Sequence, residues 1–384
     1  MPMYHTLGRI PRKRHTAFRA PDGHLYAEEL MGEEGFSGAS SLLYRQRPPT
    51  SVKAVRRLRE ALYEADPDRT LHHRHFRTAG LTRGGSPTLD RTPLLFNDEV
   101  TMLFVAPDRA DEHFYRNAQA DEVVYVSQGK GVLATEFGDL PFEPGDYLVI
   151  HRGILHRYQF DAGDARLLVI ESRGHVRVPR RYRTDQGQMK EGAPYSERDV
   201  RRPETLTPHD ETGDFTLIVK QGHGLNELIL DHHPFDVVGW DGCYYPWIFN
   251  IRDFEPIVGR VHQPPPVHQT FEGDGFVICS FCPRPYDFDP AAVPVPYNHS
   301  NVDSDEVLFY ASSEFMSRKG IEYGSVTLHP CGMPHGPHPG RVEASLGAKE
   351  THELAVMLDS FRSLKVARPA LAIEDPTYFA SWRE

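Results

Sequence analysis

A chain of 384 residues with 39% hydrophobic and 25% charged residues is long enough for two cores of ordinary size and too apolar to be a disordered chain. A net charge of -11 argues against nucleic acid as the main partner, because such binding neutralises phosphates with a basic surface. No run of about 18 apolar residues occurs, and the start MPMYHTLGRIPRKRH lacks an apolar signal region, so no membrane contact and a cytoplasmic location are expected.

The first 95 residues read as an arm. It carries one helical pattern, SVKAVRRLREALYEA from Ser51 to Ala65, with Ser51 as its N-cap, expected to pack outside a sheet. His72, His73 and His75 in LHHRHF have no carboxylate at ligand spacing and read as solvated. Along the whole chain, 32 prolines and 31 glycines mark off short runs rich in β-branched and aromatic residues, such as DEVVYVS, GDYLVIH, FTLIVK and DEVLFYA, so the expected fold class is all-β. Residues 96–175 form a first expected domain and 213–384 a second. The polar, proline-broken stretch 176–212 connects them. Four cysteines are too few for a disulfide framework, and the pair Cys279 and Cys282 lies in an apolar strand, which favours buried thiols over a redox or zinc site.

An internal repeat organises the two halves. YRNAQADEVVYVS is followed by GDYLVIHRGILH, and HSNVDSDEVLFYAS by GSVTLHPCGMPH. Asn117 and Tyr115 precede Glu122 at the offsets at which Asn301 and His299 precede Glu306. Each second segment spans twelve residues from glycine to histidine, Gly145 to His156 and Gly324 to His335.

The second copy therefore offers His299, Glu306 and His335. Two imidazoles and one carboxylate on one face of a metal leave adjacent positions open, which suits Fe(II), although Mn(II), Co(II), Ni(II) and Zn(II) accept the same donors. The first copy has Tyr115 where His299 stands, so it is expected to bind no metal, with Glu122 and His156 as a buried pair.

At these residues the sequence resembles the homogentisate 1,2-dioxygenase family. The likeness is carried by IPRKRHTAFRAPDGHLYAEELMGEEGFSG, LLYRQRPP, FYRNAQADEVVYVSQGKG, FDVVGWDGCYYPWIFN, PYNHSN with Glu306, and LHPCGMPHGP. The resemblance implies two tandem cupin (jelly-roll) barrels, the first degenerate, and Fe(II) held by His299, Glu306 and His335. Dioxygen is the implied co-substrate, homogentisate is converted to maleylacetoacetate in tyrosine and phenylalanine catabolism, and the assembly is a homo-oligomer. It further implies substrate contacts from Tyr297, Asn301, His329 and Arg45, the last pairing with the acetate arm. The family's catalytic histidine falls in a block that here reads RVHQPPPVHQTF, which leaves His262 and His268 as the two candidates for the base that removes a phenolic proton. The spacing from Asn301 is one residue longer than in longer members, so Asp305 competes with Glu306 as the carboxylate ligand, and the repeat favours Glu306. Gentisate or another para-dihydroxylated aromatic acid is the alternative substrate, and a non-catalytic metal-binding protein of the same fold is the alternative class.

Overall fold

The computed structural model describes residues 3–161, 163–259 and 265–383. The fold is all-β, with tandem cupin-type barrels. The one α-helix among the described residues is Arg341–Ser345. No helix among them is long and apolar enough to cross a membrane.

In the first half, Asp121–Gln128 lies between Asp146–Ile150 and Arg166–Ser172 in an eight-stranded sheet. A seven-stranded sheet contains Gly131–Thr135, His156–Phe160 and Phe114–Asn117. Thr212–Gln221 pairs in parallel with Phe114–Asn117, and Trp247–Asn250 pairs with Asp146–Ile150. Residues from 212 to 250, drawn from sequence into the second domain, thus complete sheets of the first half. The change of composition at 176–212 marks a connection, but backbone hydrogen bonding decides which sheet a strand joins. Tyr182 and Tyr195 of that connection donate their hydroxyls to the carbonyls of Gln269 and Thr270 (2.9 and 2.7 Å), tying it to the second half.

The second half is built on a six-stranded sheet whose order is Gln269–Gly273, Phe276–Phe281, Ala355–Ser360, Asp305–Tyr310, Ser325–His329 and Arg74–Arg77. One apolar cluster runs from Val123 and Leu148 of the first half to Val307 and Val326 of the second. Phe309 stands 6.0 Å from Tyr125 and 6.2 Å from Phe104, ring to ring. Full burial of such a side chain contributes about 1.5–3 kcal/mol, so shared packing holds the halves together.

Two expectations are corrected here. The stretch Ser51–Ala65 is not a helix. Val52–Glu60 is a strand at the edge of the seven-stranded sheet, antiparallel to Gly224–His232, with Ala54 opposite Ile229 and Arg56 opposite Glu227. All nine of its residues are exposed, so its apolar positions have no core to face as a helix would need, and the pairing satisfies the backbone instead. Lys53, Arg56, Arg57 and Arg59 make it a charged edge, which opposes the addition of a further strand. The LHHRHF stretch is not solvated either. His73 and His75 are buried because Arg74–Arg77 pairs with Ser325–His329 and becomes part of the second sheet.

Candidate metal centre

The second copy brings His299, Glu306 and His335 together. One ligand atom from each lies within 4.8 Å of the others. Glu306 Oε2 is 3.5 Å from His299 Nε2, and Glu306 Oε1 is 3.3 Å from His335 Nε2. The local sequence explains the convergence. Asp305–Tyr310 alternates, so Glu306 and Leu308 face a cavity while Val307 and Phe309 enter the core. Asp305 points the other way. Its two oxygens accept the backbone N–H groups of Cys331 (2.9 Å) and Leu364 (2.7 Å), so it pins the turn that delivers His335 rather than competing as a ligand. That turn needs Gly332, whose φ of 87° is strained for any residue with a Cβ. His299 and His335 then pair as an antiparallel bridge with backbone bonds of 2.8 and 2.9 Å.

Each imidazole is oriented by its own backbone. His299 Nδ1 meets the Tyr297 carbonyl at 3.1 Å and His335 Nδ1 the Met333 carbonyl at 3.5 Å, which turns both Nε2 atoms toward Glu306. His335 Nε2 is buried without a hydrogen-bond partner. A buried ring nitrogen without a hydrogen bond, turned toward a carboxylate and a second imidazole nitrogen, fits a divalent cation of the kind imidazole and carboxylate bind. Burial alone would raise the Glu306 carboxyl, but His299, His329 and His335 hold it well below its ordinary range, in the ionised form a metal needs.

The surrounding aromatics are dense. His329 is fully buried, donates Nδ1 to Glu306 Oε1 at 2.8 Å, and stacks on His335 with ring centres 4.6 Å apart. Behind it stand Tyr378 and Trp382 from the last turns of the chain, with Trp382 4.8 Å from His73. His329, expected at the substrate, is therefore behind Glu306 and orients it. Being fully buried, it has no surface open to a ligand.

A cavity of about 190 Å³ opens onto His299 and Glu306. An apolar hole of about 150 Å³ takes one benzene, so the space is of the order of one substituted ring. Tyr297 and Asn301 line it, as the sequence suggests, and Tyr297 is exposed at its mouth. His268 lines it too. It is buried, stacked 4.5 Å from Phe281, with Nδ1 unpartnered, and burial together with Arg284 pushes its pKa to about 3, so the ring is neutral. His262, the other candidate base, lies outside the described residues.

Arg45 is elsewhere. It is buried in the first half, donates to Asp236 Oδ1 at 2.8 Å and pairs with Glu29 and Glu136, so three carboxylates already claim it and it does not line the cavity. The sequence reading also passed over three cavity residues. Asp359, whose Oδ1 has no partner, sits across the sheet from Glu306, and its carboxyl is pushed up to about 8, chiefly by burial and then by Glu306. A single acid inside the apolar strand AVMLDS is a signal that would have found it. Arg284 and Arg318 lie in non-repeating segments and leave no such pattern.

The first copy keeps the geometry and changes the occupant. Tyr115 pairs with His156 as His299 pairs with His335. Glu122 does not bond His156. It takes Arg91, with Nη1 and Nη2 each at 2.9 Å, and the Asn117 amide at 3.0 Å. A guanidinium stands where the second copy would hold a metal. Cys279 and Cys282 are buried, and burial raises both thiols, which opposes thiolate chemistry.

Fold and site together define a cupin-type scaffold with a candidate metal centre. Residues 97–251 match the model of the homogentisate 1,2-dioxygenase N-terminal region. A protein of Saccharolobus solfataricus named as a candidate dioxygenase is 42% identical over 385 aligned residues, covering 100% of this chain and 99% of the relative. The homogentisate 1,2-dioxygenase of Bradyrhizobium diazoefficiens is 28% identical, covering 86% of this chain and 78% of the relative. The chain belongs to the family of the Saccharolobus solfataricus protein, a dioxygenase family related to the homogentisate dioxygenases. Among solved structures, a cupin 2 conserved barrel domain protein from Leptotrichia buccalis covers 76% of this chain and 98% of its own at 10% identity, with a TM-score of 0.35, too low to add to the argument.

Proposed function

We propose that the protein is an Fe(II)-dependent dioxygenase that opens the ring of homogentisate to maleylacetoacetate. The observation that carries this reading is the convergence of His299, Glu306 and His335, two of which, His299 and Glu306, line a ring-sized cavity. The 28% identical homogentisate dioxygenase supports the substrate. An Fe(II) ion held by these residues would supply Lewis-acid binding of one ring oxygen and activation of dioxygen.

The chain supplies the rest. Leu308, Phe315 and Val295 exclude water from one face of the ring. His268, in the wall, neutral and with Nδ1 without a partner, accepts a hydrogen bond from a ring hydroxyl in this reading. Tyr297 and Asn301 border the first ligand and offer polar groups at the mouth. His329 keeps Glu306 turned toward the two imidazoles.

The test is anaerobic reconstitution with Fe(II), then oxygen uptake and ultraviolet spectra with homogentisate and, separately, gentisate. One dioxygen consumed per homogentisate with a new ring-opened absorbance is the expected result. Turnover of gentisate alone would move the substrate, and uptake with neither would overturn the ring-cleaving reading.

A further inference from the structure

Two arginines line the cavity, and they differ in what neutralises them. Arg284 Nη2 donates to Glu353 Oε1 at 2.8 Å, and Glu353 lines the same cavity, so that pair is charge-balanced. Arg318 is 5% exposed and forms no ion pair among the described residues. Its Nη1 donates to the Gly336 carbonyl, its guanidinium carbon lies 5.7 Å from the Trp382 ring centre, and its Nε is buried with no partner.

A cation taken out of water without a counter-charge is costly, and proteins leave one so only where something else completes it. The nearby groups that favour its charge are the Tyr310 and Tyr378 phenols and Glu306. Of these only Glu306 is an acid, and a metal at His299, Glu306 and His335 would claim its charge. Two further acids line the cavity without an ion pair among the described residues, Asp287 and Asp359, and Asp359 faces Glu306 and His299. A loaded centre therefore leaves Arg318 as a buried positive charge on the wall of a mainly apolar, ring-sized space. Arg45, the residue that sequence offered for the acid arm, is already occupied by Glu29, Glu136 and Asp236.

We propose that Arg318 is the anion anchor of this cavity: it takes the carboxylate of an aromatic acid whose ring lies at the metal centre, and thereby selects aromatic acids over neutral phenols. The proposal rests on the reading of the site as a metal-dependent, ring-binding centre. It places recognition of the acid group on the same half of the molecule as the metal ligands.

The experiment compares homogentisate with its methyl ester, the same ring without the charge, as ligands of the Fe(II)-loaded protein under anaerobic titration. Wild type is expected to favour the acid. Arg318→Met is expected to keep its metal and weaken acid binding by about 10- to 100-fold, the range of a charge-assisted hydrogen bond, while ester binding changes little. Arg318→Lys restores most of the acid preference, which a purely structural role would not do. Equal weakening of acid and ester in Arg318→Met, or unchanged acid binding, overturns the anchor. Because binding is read without oxygen, a wild type that prefers the acid and cleaves nothing supports the anchor while sinking the ring-cleavage reading.

Discussion

Replacing Arg91 by methionine tests whether the first barrel has exchanged a metal for a guanidinium. Arg91 is 4% exposed at its side chain, contacts Glu122 through both Nη atoms at 2.9 Å and reaches Glu171 at 3.4 Å. Glu171 keeps a second cation, Lys220, at 2.5 Å, so the substitution strands Glu122 alone, with only the Asn117 amide left to it. Removing one partner of a buried ion pair costs about 3–5 kcal/mol, and that loss is the expectation here. Adding Glu122→Gln should recover much of it, because both charges are then gone. The assay is urea unfolding followed by fluorescence of Trp240 and Trp247, which are fully buried in strands paired to the first half. The pH dependence gives an independent sign. Burial would raise Glu122, but Arg91 holds it down to about 2, so its stabilisation is complete above the ordinary carboxylate value of 4.5 and is lost as pH falls toward 2. In Arg91→Met the acid-side loss across that window should shrink, while metal content stays at the wild-type level. A destabilisation under about 1 kcal/mol, the worth of an exposed pair, would refute the reasoning.

Four further outcomes are expected. Glu306→Gln should abolish metal binding with the fold intact by circular dichroism. Asp305→Asn should keep the metal and lose about 1–3 kcal/mol, since it weakens acceptors of two backbone N–H groups; the opposite pattern in metal analysis would make Asp305 the ligand. Asp359→Asn should stabilise the metal-free protein at pH 8 and much less at pH 4. A carboxyl raised to about 8 penalises the folded state progressively as pH climbs from the ordinary carboxylate range to that value, and parallel denaturation curves at the two pH values would show otherwise. His268→Ala should keep the metal and slow turnover by roughly tenfold, the worth of one hydrogen bond to the ring hydroxyl; unchanged kcat would remove it from the chemistry.

The fold class and the trio His299, Glu306 and His335 were readable because both are local or repeated signals. Alternation shows within one strand, and the repeat compares two stretches of one chain at equal offsets. What escaped depends on partners far away in sequence. Val52–Glu60 carries apolar residues at helical spacing, yet its backbone is claimed by a strand that begins at Gly224. Arg45 looks like a free anion binder until Glu136 and Asp236, 91 and 191 residues on, are brought beside it. His73 and His75 read as surface residues for the same reason, since the sheet that buries them is completed by Ser325–His329.

The two copies also differ in what meets a buried carboxylate on the same backbone. Both hold a buried glutamate on the strand after the turn, a bridge between positions 115 and 156 or 299 and 335, and an imidazole whose Nδ1 rests on the carbonyl two residues back, Ile154 in one case and Met333 in the other. A buried carboxylate needs a cation, and the two barrels meet that need differently. The first brings Arg91 to Glu122 from within the chain and replaces a ligand histidine with Tyr115, whose ring lies under the same guanidinium at 5.6 Å. The second brings no cationic side chain into ion-pair contact with Glu306, only histidines among the described residues, while the Nε2 of the closing histidine, His156 or His335, is without a hydrogen bond in both. Reversing the exchange would take two changes together, a histidine at 115 and a neutral side chain at 91. Either alone leaves an extra cation or a missing ligand.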